Sequence, residues 1–94
     1  MIIGTITIKI FIASSRSLKD KRRVSKSLIS RLQNKFNLSV AEIGSLDQWQ
    51  IAEIGLALVA NESRHLNRQI SRIIEFIEKE QYEYELIEVA SEII

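Results

Sequence analysis

The chain is 94 residues long, 46% hydrophobic and 27% charged, which suits one soluble domain spanning residues 1–94 with a core of its own. Having no cysteine, it excludes disulfides, thiol catalysis and cysteine-ligated zinc or iron–sulfur centres, and one histidine gives little to a metal or a general base. Net charge is only +1, yet residues 1–47 hold nine basic and three acidic side chains (+6) and residues 48–94 hold four and nine (−5), so a basic surface should meet an anion or the acidic pole.

Ile2 to Ile12 reads as a strand, with Ile2, Ile6, Ile8, Ile10 and Ile12 on one face and Thr5, Thr7, Lys9 and Phe11 on the other. Lys9 interrupts this run, which is too short to span a bilayer and lacks a small-residue cleavage pattern. The expected compartment is the cytoplasm. Ala13 to Ser17 breaks the alternation, and Ser17 is placed to cap a helix with Asp20 in the capping-box position. That helix should run to about Lys35, with Val24, Leu28, Ile29, Leu32 and Phe36 as its apolar stripe and Asn37 as a stop. Leu38 to Ile43 is a short strand, Gly44 to Gln48 has turn composition, and Trp49 to Ala60 is a strand antiparallel to it. Gly55 in mid-strand predicts a close approach to its backbone. Asn61 or Ser63 should cap a second helix to about Glu80, burying Leu66, Ile70, Ile73, Ile74 and Ile77. Tyr84 to Val89, or further, is the last strand. Strand, helix, strand, strand, helix, strand defines an α+β, ferredoxin-like sandwich with two helices on one face of a four-stranded antiparallel sheet. Right-handed crossovers set the strand order as 4-1-3-2.

Three stretches resemble a known family: Ser17-Leu18-Lys19-Asp20-Lys21-Arg22-Arg23, then Phe36-Asn37-Leu38-Ser39-Val40-Ala41-Glu42, then Asp47-Gln48-Trp49-Gln50 with Ala52 and Gly55. They are similar to the SLK-x-KR, FNVSVAE and D-x-WQ-x-A-x-x-G motifs of the YlxP-like family, small bacterial proteins of unknown function. The match covers nearly the whole chain, with Asp20 and Leu38 standing where the family often has Glu and Val. The resemblance implies a ferredoxin-like fold. It also implies a loose link to translation, because genes of the family often neighbour those for initiation and ribosome-binding factors. As a family hallmark, the D-x-WQ turn makes Asp47, Trp49 and Gln50 secondary site candidates.

The first helix carries the main chemistry. With Arg16 included, it holds eight of the thirteen basic residues. Lys19, Arg22, Arg23 and Lys26 fall opposite Leu28 and Leu32, followed outward by Ser27, Ser30 and Asn34. Like charges at i, i+4 oppose a helix by about 0.2–0.5 kcal/mol each, and cations in its first turn oppose the macrodipole. A phosphate ligand accounts for them, giving a non-enzymatic factor for ribosomal or other RNA, with Arg16 and Lys21 assisting at the helix start. The competing expectation is that Glu75, Glu78, Glu80, Glu83 and Glu85 neutralise the basic turn within the molecule or across a dimer.

The rival function is a homodimeric interaction module. It would act through Phe11, Ile51 and Val59 on the open sheet face, or through Phe76, which falls outside the stripe of the second helix. The strand partnering Phe11 offers no aromatic from Gln50 to Ala60, so stacking of bases on the sheet is not expected. Trp49 is expected to close the end of the core. No catalytic residue, metal ligand or cofactor site is identified, and His65 is expected at the surface. An acylphosphatase-like reading would rest on Arg16 and Asn61 alone, in a first loop without glycine.

Overall fold

The computed structural model describes all 94 residues. Alternation along the first strand, β1 (Ile2–Phe11), sets the layers: Ile6, Ile8 and Ile10 face inward and are buried, while Thr5, Thr7 and Phe11 face the other way. After β1 come α1 (Leu18–Lys35), β2 (Ser39–Gly44), β3 (Ile51–Ala60), α2 (Ser63–Lys79) and β4 (Glu85–Ile93). The sheet order is β2-β3-β1-β4 with every neighbour antiparallel, the ferredoxin-like arrangement the pattern predicts. α1 packs over β2 and β3, and α2 packs over β1, β3 and β4. Ala52, Ile54, Leu56 and Leu58 of β3 meet Val24, Leu28 and Leu32 of α1 and Leu66, Ile70, Ile73 and Ile77 of α2 in one core. Ile29, Phe36 and Ile74, predicted on the two stripes, pack against its margin half-buried.

Ser17 caps α1 as expected, its Oγ accepting from the Asp20 N–H at 3.1 Å. The Asp20 carboxylate accepts in turn from Arg16 N–H at 3.0 Å, one residue earlier than a capping box requires. α2 differs from expectation. Its N-cap is Glu62, whose side chain makes no capping bond. The close approach at Gly55 comes from Ile43, whose Cγ2 lies 3.0 Å from where a Cβ would stand.

β3 begins two residues later than predicted because Trp49 and Gln50 belong to the turn. The pairing still continues one step, since Ile12 N–H donates to Gln50 O at 2.7 Å. β4 runs past Val89 to Ile93, held by β1 from Gly4 to Thr7. As an exposed edge strand it needs no apolar alternation, so Ala90-Ser91-Glu92 gave no signal.

The end of the core is closed by Tyr84, not by Trp49 as the sequence suggested. Tyr84 is buried, and its hydroxyl donates to Ile77 O at 2.7 Å. Burial pushes its pKa up to about 12; Arg31 opposes this and Glu80 adds to it. The folded chain therefore keeps this proton to higher pH than the unfolded chain, whose tyrosine titrates near 10.0. The Tyr84 contribution to stability should be level up to about pH 10 and fall as pH rises towards 12. Urea unfolding across this range should show the drop, and Tyr84→Phe should remove it.

Candidate nucleic-acid interface

The wheel of α1 divides its charges into two sets. Lys19, Arg22, Arg23 and Lys26 sit at i, i+3, i+4 and i+7, one face spanning about 10 Å of helix. All four are exposed, and none forms an ion pair within the chain. The carboxylates expected to neutralise them are used elsewhere or lie apart. Glu75 binds Lys79 on its own helix at 2.6 Å, which holds its carboxyl below the ordinary range, and Glu80 lies 3.7 Å from Arg31. The reason is geometric: α2 packs over β1, β3 and β4, and its end meets a later turn of α1, where Arg31 faces Glu80.

Lys21 corrects the expectation that it assists at a phosphate. It precedes Val24, Leu28 and Leu32 by three, seven and eleven residues, and so belongs to their buried stripe. Its exposure is 0%. Nζ lies 3.0 Å from Glu42 Oε2 and donates to Ser45 O at 2.9 Å and to Leu46 O at 3.4 Å. Ser45, whose φ of 54° is left-handed, donates from Oγ to Glu53 Oε2 at 2.6 Å. Removing one partner from a buried pair leaves an uncompensated charge. Lys21→Met should therefore destabilise the fold by about 3–5 kcal/mol, read as a lower denaturation midpoint at unchanged m-value.

The same turn presents the secondary candidates. Asp47, Trp49 and Gln50 line an open cleft of about 780 Å³ with Phe11, Ser15, Arg16 and Ile51. Gln50 Nε2 donates to Ala13 O at 3.0 Å, fastening the turn to the loop before α1. Trp49 is 57% exposed, and the Arg16 side chain is exposed without an acidic partner. Trp49 thus supplies the aromatic neighbour of Phe11 that β3 lacks. Trp49 stands one residue before the Gln50–Ala60 stretch, and its place two before Ile51, the register partner of Phe11, is the sequence signal for it.

The interface candidates do not form one patch. Phe11 pairs with Ile51 across the sheet, whereas Val59 pairs with Ile3, eight residues and about 27 Å away along β1. Between them runs a charged row, Glu53–Lys9–Glu88, with Lys9 Nζ 3.8 Å from Glu88 Oε2. Phe76 lies on the helix layer, half-buried, with its ring edge-on to Phe36 at 5.6 Å and Lys35 Nζ 5.0 Å above it. Its expected role as a free anchor gives way to packing within the molecule. His65 is exposed, no group of three potential ligands could hold a metal ion, and no helix is long and apolar enough to cross a membrane.

Fold and site together define a small ferredoxin-like protein with an unpaired basic helix face and an open cleft, lined in part by Trp49, Phe11 and Arg16. Residues 3–91 match the profile of a family described as protein of unknown function DUF503, and the chain belongs to that family. It is 38% identical over 76 residues, 81% of this chain and 83% of the relative, to a Bacillus subtilis (strain 168) protein described as uncharacterized protein YlxP.

Proposed function

We propose that this protein is a non-enzymatic, cytoplasmic RNA-binding factor, ribosomal RNA being the first target to test. Its phosphate-contacting groups are Lys19, Arg22, Arg23 and Lys26, with Arg16 at the helix start. The observation that supports this most is the set of four exposed cations on one face of α1 with no carboxylate partner. Each like-charge step, Lys19–Arg23 and Arg22–Lys26, costs the helix about 0.2–0.5 kcal/mol. No contact within the chain offsets that cost, while a row of phosphates would. Ser27, Ser30 and Asn34 prolong the same exposed face with hydrogen-bonding groups. If all four cations engage one single strand, log K against log salt should slope by about −2.8. Replacing all four by Glu should leave the melting transition in place and abolish comigration with ribosomal subunits at low salt. Retention by the folded variant would overturn the reading.

A second reading, self-association, is favoured by one row of the open face. Val59, Ile3 and Ile94 lie side by side there, Val59 62% and Ile94 72% exposed. A second copy is the partner this row would take, apolar against apolar. Sedimentation equilibrium should then show a dimer that Val59→Lys dissociates; a monomer at high concentration would remove this reading.

A further inference from the structure

The cleft beside the basic face differs from it in chemistry. A phosphate row needs cations and hydrogen-bond donors, whereas the cleft adds two rings to a partly polar lining: Trp49, more than half in water, and Phe11, half-buried. Trp49 contributes little to the core, since Tyr84 closes that end. Its turn is nonetheless held firmly. Lys21 grips the carbonyls of Ser45 and Leu46, Gln50 bonds Ala13 O, and Gln48 N–H donates to Ser45 O at 3.0 Å. A rigid turn that holds a wet indole beside a second ring is a stacking platform. Arg16 lines the same cleft and stands three residues before Lys19, where the basic face begins.

We propose that this cleft receives one unpaired nucleobase of the RNA strand whose phosphates lie on α1. This rests on the preceding reading for the identity of the ligand and adds to it a preference for single strands. The base lies on Trp49 with Phe11 at its edge, and Arg16 meets the phosphate that leads to Lys19. Asp47 and Gln48 at the rim offer hydrogen-bonding groups to the base edge. A base within a duplex is stacked and paired and cannot enter, whereas a splayed-out base can. Such platforms are tolerant of sequence, because every base has a π-face.

Trp49 is the sole tryptophan, so its emission reports on the cleft alone. The full chain is titrated with three probes: a short single-stranded RNA, an abasic strand with the same number of phosphates, and a duplex. The base-bearing strand should quench Trp49, and the abasic strand should bind roughly 5- to 150-fold more weakly without quenching. Trp49→Ala, at an exposed position that the fold tolerates, should bring single-strand affinity down to the abasic level and leave the salt slope unchanged. Equal binding of the base-bearing and abasic strands, or an unaffected Trp49→Ala variant, would overturn the base pocket while the phosphate face stood. No binding of any probe at low salt would overturn both.

Discussion

One buried ammonium group joins the parts of this molecule on which the proposed function rests. Lys21 has three donors, and each has a partner: the Glu42 carboxylate, the Ser45 carbonyl and the Leu46 carbonyl. A charge with no exposure would be costly alone, but here its partners come from β2 and from the turn after it, so α1 and the sheet edge move as one body. The acceptor side is equally determined. Glu53 takes the Ser45 hydroxyl, and it can approach because Gly44 has no side chain; a Cβ there would stand 2.6 Å from Glu53 Oε2. Ser45 is thereby held from both ends in a backbone conformation that non-glycine residues seldom adopt.

This contact explains why two of the motifs occur together. Within Ser17-Leu18-Lys19-Asp20-Lys21-Arg22-Arg23, Ser17 caps the helix, Asp20 ties back to Arg16, Lys21 points inward, and Lys19, Arg22 and Arg23 point to water. The Asp47-Gln48-Trp49-Gln50 segment follows directly on the carbonyls that Lys21 holds. The SLK-x-KR and D-x-WQ patterns are two sides of one junction, and the aromatic cleft and the basic face emerge from it on adjoining surfaces.

The fold is legible because its signals are periodic: isoleucine at every second position from Ile6 to Ile10 in β1, and apolar residues at helical spacing in α1 and α2. The capping of α1 was legible too, through Ser17 and Asp20. What escaped was local or depended on three dimensions. Lys21 carries the charge of a surface residue on the wheel position of a core one, and residue type prevailed over position. Trp49 reads as interior because a large ring usually stands there, whereas the turn after the bulged end of β2 carries it outward. Phe76 looked solitary in the sequence because its neighbours, Phe36 and Lys35, are on another helix. The divergence of α2 from the basic turn, which leaves four cations unpaired, is a matter of packing that periodicity does not encode.

The row Glu53–Lys9–Glu88 has a consequence for how the sheet can be used. It is a hydrophilic bar one step in from Phe11 on the open face, costly to dehydrate, so a single broad partner covering the whole sheet is disfavoured. Occupancy at the Trp49 end and occupancy at the Val59 end are consequently compatible. If both proposed sites are used, the domain is bivalent: a ligand held at one pole would raise the effective concentration of whatever binds the other, with no change of shape between them.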